Sequence, residues 1–198
     1  NRADNEREQL KSLLQDDLTL DLRQSSLIDR LKTMQTSEGG WQWFPGMPHN
    51  TCVTMEIVET LLRTSRQCPA VKADISPLLK RALTYLNNMA DKEMAQLKKQ
   101  KAKSLPSLWI HYLYISSMSG QSLTPAGKYM LSLLQKNALQ DNLYDKSLAA
   151  CVLHANKRDT ESADIIKSLM EHTVTRPDMG RYFDGKKVKI DDVKNKRH

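Results

Sequence analysis

Apolar residues recur at three- and four-residue spacing along most of the chain, the interval that lines one face of an α-helix. Leu10, Leu13 and Leu14 mark a short helix within Asp4 to Asp16, and Leu20, Leu27, Ile28, Leu31 and Met34 mark a second from Thr19 to Gln35. After a loop rich in glycine and proline, Asn50 or Thr51 caps a helix with the stripe Val53, Ile57, Val58, Leu61 and Leu62, which ends before Pro69. The longest segment runs from Asp74 to about Leu97. Pro77 falls in its first turn, and Leu79, Ala82, Leu83, Leu86, Ala90 and Met94 form its buried stripe.

From Leu105 to Met118 the run Leu108-Trp-Ile-His-Tyr-Leu-Tyr-Ile115 is apolar nearly all round, the mark of a helix with neighbours on most sides, and Gly120 closes it. Thr124 and Pro125 open the next helix, with Met130, Leu133, Leu134 and Ala138 inward. Leu143 to Ala155 carries Tyr144, Leu148, Cys151, Val152 and Ala155. A final helix capped by Asp159 or Thr160 carries Ile165, Ile166, Leu169, Met170 and Val174 and stops at Pro177. Alternating β-branched runs and hairpin turns are lacking. The pattern predicts an all-α chain of about seven or eight helices, with short connections making consecutive helices antiparallel neighbours.

One stretch departs from this regularity. In Gln35-Thr-Ser-Glu-Gly39-Gly40-Trp41-Gln42-Trp43-Phe44-Pro45-Gly46 an amide, a glycine pair and three aromatics stand together between two helices. As a structural joint, Gln35 turns its amide toward unsatisfied backbone groups at a neighbouring helix end. Gly39 and Gly40 permit a turn with positive φ, and Trp41 covers the gap with a large ring whose N–H finds a partner. As a binding site, Trp41, Trp43 and Phe44, with Trp109 and Tyr112 further along, stack on a sugar or an apolar ligand; Trp43, Phe44, Trp109 and Tyr112 are also the candidate interaction surface. Both readings stay open here.

Composition narrows the function classes. The chain has 198 residues, 39% hydrophobic and 27% charged, as in an ordinary globular domain. No apolar run approaches the ~20 residues of a membrane span, so no direct span is predicted. No signal peptide is visible, so any export signal is expected to have been removed or to lie outside this sequence. The net charge of +7 is concentrated in Lys98-Lys99-Gln100-Lys101-Ala102-Lys103 and in the tail from Lys186 to His198. With neither interleaved aromatics nor a known motif, these runs predict solvated segments and no nucleic-acid partner.

Catalytic chemistry is not visible either. Cys52, Cys68 and Cys151 form no CxxC. Within one helix Cys52 and Cys68 would lie roughly 24 Å apart, beyond disulfide reach, and Cys151 reads as core. His49, His111, His154, His172 and His198 are scattered, and Asp16-Asp17 and Asp191-Asp192 are neighbours whose side chains diverge on a helix. No phosphate-binding glycine loop, HExxH or GxSxG occurs. The residues predict no enzyme, no metal site and no cofactor.

Gln35-x-x-x-Gly39-x-Trp41, with Leu31 at the preceding aliphatic position, resembles the Gln–Trp repeat of α/α-toroid proteins, among them terpenoid cyclases, prenyltransferases and thioester domains. Ser26 and Arg30 depart from that repeat's basic and aromatic positions. A longer resemblance runs from Leu31 to Met47 and from Val53 to Leu61. It continues through Leu108 to Ser116, Tyr144 to His154, Ile165 to His172 and Asp178 to Tyr182. In that order these segments are similar to bacterial α2-macroglobulin-like proteins, especially of the Bacteroidetes type, over roughly residues 8–183.

The resemblance implies a partial α/α toroid over residues 1–183, in the thioester-domain region, followed by a charged tail over 184–198. It implies a non-catalytic helical segment of a protease trap of the periplasm or cell envelope. Its partners would be the other domains of the parent chain and, through the whole protein, target proteases. The family's thioester needs Cys-x-Glu-Gln, and none of the three cysteines has that context; in relatives it would lie upstream of Asn1. The Asp-x-Asp-Asp acid of terpenoid cyclases and the zinc set of prenyltransferases are missing too. A carbohydrate- or isoprenoid-binding toroid and a helical protein-interaction module are the alternative expectations.

Overall fold

The computed structural model describes residues 25–44, 46–140, 142–178 and 180–183. The predicted helix from Asp4 to Asp16 and the charged tail lie outside these residues. Helix α1 is described over residues 25–34, followed by α2 (Thr51–Gln67), α3 (Lys72–Lys99), α4 (Ser107–Ser119), α5 (Pro125–Asn137), α6 (Leu143–Ala155) and α7 (Asp159–Glu171). Single 3₁₀ turns cover Pro69–Val71 and Ala138–Gln140. The protein is therefore mostly helical, as the periodicity predicts.

A short antiparallel hairpin follows α7 and corrects the expectation of no strands. Strand β1 (Thr173–Arg176) pairs with β2 (Gly180–Phe183), Val174 facing Tyr182 and Arg176 facing Gly180. Val174 thus belongs to a strand; α7 ends at Glu171 with His172 as its cap. The N-cap of α7 is Arg158, before either predicted cap, Asp159 or Thr160. Helix α3 starts at Lys72, which puts Pro77 inside the helix instead of in its first turn. The ring removes the N–H that would bond Ala73, whose exposed position leaves that carbonyl to water.

The chain divides into two units, Asn1–Tyr85 and Leu86–His198. In the first, the core is built from Ile28, Trp41, Met55, Val58, Leu61, Leu62, Ile75, Leu78, Leu79, Ala82, Leu83 and Tyr85. Leu27 and Met34, placed on a stripe by spacing, are exposed. Asn50 is the cap of α2, its side-chain oxygen accepting from the Val53 N–H at 3.1 Å.

In the second unit α6 packs against both α4 and α7. Helix α4 is buried on almost every side, through Trp109, Ile110, His111, Tyr112, Leu113, Ile115 and Ser116, as its apolar run predicts. Gly120 closes it in the left-handed region at φ 71°. Helix α6 corrects the sequence reading. Tyr144, Cys151 and Ala155 are exposed, and the buried face is Asp145, Lys146, Ala149, Ala150, Val152 and Leu153. The Asp145 carboxylate accepts from Ser107 Oγ at 2.6 Å and from Asn142 Nδ2 at 2.7 Å, and Asn142 Oδ1 accepts the Asp145 N–H at 3.0 Å. One carboxylate thus serves the first turns of α4 and α6, where the helix dipole favours negative charge. Lys146 Nζ donates to Ser168 Oγ on α7 at 3.2 Å.

Helices α3 and α6 end in the same device. At each, a 6→1 and a 5→2 hydrogen bond close a Schellman motif: Ala102 N to Leu97 O with Lys101 N to Lys98 O, and Arg158 N to Leu153 O with Lys157 N to His154 O. The residue that must enter the left-handed region is a lysine in both, Lys101 at φ 50° and Lys157 at φ 58°. Glycine avoids the Cβ clash of that region but loses more entropy on folding. Lys101→Gly and Lys157→Gly are each expected to stabilise the protein by about 0.5–1 kcal/mol, read as a higher midpoint in thermal denaturation.

Candidate functional site

The joint after α1 is assembled from hydrogen bonds that its residue types make available. Gln35 N–H still reaches back to Leu31 O at 3.1 Å, and the chain then turns: Gly39 N–H donates to Thr36 O at 3.0 Å and Thr36 N–H to Gly40 O at 2.9 Å. Gly39 has φ 97°, and a Cβ there would lie 2.4 Å from the Arg81 carbonyl oxygen. Gly40 is enclosed by His49, Thr54 and Tyr85, each 3.2 Å from where its Cβ would be. The two glycines therefore let the turn pass against α2 and the first part of α3.

Gln35 is buried, and its Nε2 donates to Gly39 O at 2.9 Å and to Leu78 O at 3.0 Å. Leu78 lies well inside α3, so the amide holds a mid-helix carbonyl and not the helix end expected from sequence. Trp41 is 1% exposed; its ring Nε1–H donates to Leu31 O at 3.0 Å and its backbone N–H to Thr54 Oγ1 at 3.0 Å. Asn50 N–H returns to Trp41 O at 2.8 Å. Arg81 Nη2 adds a bond to Thr36 O at 2.8 Å. Gln35, Gly39, Gly40 and Trp41 thus meet in one cluster. Thr36, Thr54 and Arg81 complete it, and sequence reasoning missed them because threonine and arginine at those positions carry no spacing signal of their own.

Trp43 and Phe44 leave this cluster for solvent, 62% and 68% exposed. They sit on a pinned turn: Met47 N–H donates to Phe44 O at 3.2 Å, Gly46 has φ 88°, and Gln42 Oε1 accepts the Gly46 N–H at 3.2 Å. A groove of about 290 Å³ beside them is lined by Thr33, Met34, Gln35, Thr36, Gln42, Phe44 and Gly46.

Trp109 and Tyr112 are not surface residues. They are 6% and 2% exposed and meet edge-to-face, 5.8 Å between centroids, within the second unit's core. Tyr112 Oη donates to Asn87 Oδ1 at 2.8 Å. Burial pushes its phenol pKa above the ordinary value; hydrogen bonds with Thr124 and Ser116 oppose the rise and the Asp91 charge adds to it.

Of the titratable groups named from sequence, Asp16, Asp17, Asp191, Asp192 and His198 lie outside the described residues, and two histidines have local partners. His49 packs edge-on against Tyr85 at 4.9 Å with its Nε2 3.4 Å from Glu38, and His154 Nδ1 lies 2.8 Å from Asp159 at the surface. Cys52 and Cys151 are exposed and Cys68 half-buried, all as free thiols; the expectation that Cys151 is core is overturned. Among the described residues no three His, Cys, Asp or Glu gather as a metal site, and no helix is long and apolar enough to cross a membrane.

Comparison with family models, with curated proteins and with solved structures yields no match. What fold and site define is a mostly helical protein with one hydrogen-bonded Gln–Gly–Trp joint and an exposed aromatic turn beside it.

Proposed function

We propose that the chain is a non-catalytic helical segment of a bacterial α2-macroglobulin-like protease inhibitor, part of an α/α toroid in its thioester-domain region, acting in the periplasm or cell envelope. The observation that carries this reading is the joint: Gln35, Gly39 and Trp41 hold the spacing of the Gln–Trp repeat and bond as a clasp between helices. In this role the segment makes and breaks no bonds. It supplies scaffold, and Trp43 and Phe44 supply the contact with other domains of the parent chain. Two exposed aromatics on a hydrogen-bonded turn suit such an interface, since aromatic anchors dominate binding energy when they arrive preorganised.

The test uses the full-length parent protein with a broad-specificity protease. Enclosure should protect a large protein substrate from the protease while a small peptide substrate is still cleaved. Equal cleavage of both substrates, with and without the parent protein, would overturn the reading. The surface role is tested separately with Trp43→Ser and Phe44→Ser in this chain. Each should change unfolding free energy by no more than about 0.5 kcal/mol, as exposed positions do, while association with the remainder of the parent chain weakens about tenfold or more. Undiminished association would assign the aromatic turn no part in the interface.

The interaction-module reading shares the Trp43 and Phe44 surface and differs only in placing the partner on another chain. A carbohydrate- or isoprenoid-binding cavity lined by Trp41, Trp43, Phe44, Trp109 and Tyr112 is not favoured, because Trp41, Trp109 and Tyr112 are spent in the core.

A further inference from the structure

From Lys98 to Gln140 the sequence holds six lysines and no aspartate, glutamate or arginine. All six, Lys98, Lys99, Lys101, Lys103, Lys128 and Lys136, are exposed, and among the described residues none forms an ion pair. Within the second unit they are gathered by two contacts. Lys98 Nζ lies 5.1 Å from the centre of the Tyr129 ring, which brings the end of α3 beside Lys128 on α5. Asn137 Nδ2 donates to the Lys103 carbonyl, which brings the loop after α3 against the end of α5 beside Lys136. Along α5, Lys128, Ser132 and Lys136 follow one another at four-residue steps on the exposed side.

Part of this charge has a local use. Lys98, Lys99 and Lys136 stand in the last turns of helices, where cations complement the dipole. Lys136 also shares a groove with Glu161 and Asp164 of α7. Lys101, Lys103 and Lys128 have no such role, and Lys101 occupies a left-handed position that glycine fills more readily.

We propose that this lysine face of the second unit docks on an anionic lipid surface. Charge complementarity calls for an anion, and three features favour a bilayer over a nucleic acid. The stretch offers lysine point charges without arginine, the residue suited to forked phosphate and base recognition. Trp109 and Tyr112 are buried, Tyr114 is half-buried, and Tyr129, also half-buried, is already engaged by Lys98, so no fully exposed ring awaits a base. Leu139, beside Lys136 and Asn137, is exposed and can enter the headgroup boundary. The inference stands on the charge pattern and does not rest on the protease-trap reading.

Sedimentation of the full chain with vesicles tests it, using phosphatidylcholine alone or equal parts phosphatidylcholine and phosphatidylglycerol. Binding is expected only to the anionic vesicles, and screening at about 1 M salt should abolish it. At roughly fivefold per lysine, K101Q/K103Q/K128Q should weaken it about 100-fold, while the corresponding triple substitution to arginine binds like the wild type. A variant with Lys186, Lys187 and Lys189 changed to glutamine should also bind like the wild type, which separates the face from the basic tail. Equal binding to both vesicle types, an unaffected glutamine triple, or loss of binding in the arginine or tail variant would overturn the proposal. So would tighter binding to a single-stranded oligonucleotide than to the vesicles, which would assign the face to nucleic acid.

Discussion

Trp41→Ala is expected to lower the unfolding free energy by about 3–5 kcal/mol, the range for truncating a buried aromatic. The ring is almost wholly enclosed, and its removal opens a cavity under the joint while deleting the ring N–H bond to Leu31 O. Trp41→Phe separates the two losses. It keeps most of the packing but removes the donor. Leu31 O still accepts the Gln35 N–H at 3.1 Å and is not orphaned, so the cost of the lost bond should stay near the low end, about 1 kcal/mol. Denaturant unfolding of both variants measures the split, and hydrogen exchange should place the loss of protection within residues 25–85. A Trp41→Ala protein with unchanged stability would remove the structural role assigned to the joint.

The joint was legible in the sequence because its residues are chemically unusual: an amide, then a glycine pair one helical turn later, then a tryptophan. What could not be read was the acceptor of the Gln35 amide, since Leu78 reaches it only through packing of α3, and nothing in a leucine advertises its carbonyl. Helix α4 was legible for a different reason. A helix apolar on all sides has no rotational choice to make.

Helix α6 had such a choice. Tyr144, Leu148, Cys151, Val152 and Ala155 fit a helical period, and so do Asp145, Ala149, Val152 and Leu153, which share Val152 but centre roughly one residue, about 100°, away. Hydrophobicity favours the first set. The structure takes the second, because Ala149 and Ala150 let α4 and α7 approach closely and because Ser107 and Asn142 bond one carboxylate oxygen of the buried Asp145 while Ser168 accepts from Lys146. Burial of those charged residues depends on partners distant in sequence, which no local stripe records. Cys151 turned outward for the same reason. The hairpin escaped notice because strands of four residues show too little alternation to outweigh a helical pattern running into them. Residue type alone suggests a surface role for Trp109 and Tyr112, whereas the apolar run that holds them argues for the burial they show.

Gly39→Ala should be nearly as damaging as the loss of Trp41, through backbone geometry. The residue holds φ 97°, a region that costs a side chain about 1–2 kcal/mol. The new Cβ would meet the Arg81 carbonyl oxygen at 2.4 Å and its carbon at 2.8 Å, and both belong to the backbone of α3. Relief requires the turn to move off the helix, which breaks the Gln35 bond to Leu78 O and the Arg81 bond to Thr36 O. Adding the conformational cost of about 1–2 kcal/mol to two hydrogen bonds of about 1 kcal/mol each gives an expected loss of roughly 3–4 kcal/mol. Gly46→Ala is the control. Gly46 has a similar φ of 88°, but nothing lies within 4 Å of where its Cβ would stand, so only the conformational part, about 1 kcal/mol, should be lost. The difference in denaturation midpoint between the two variants therefore reports how tightly the joint is pressed against α3. If they fell equally, the close approach at Arg81 would carry no energy, and the turn would need glycine for its φ alone.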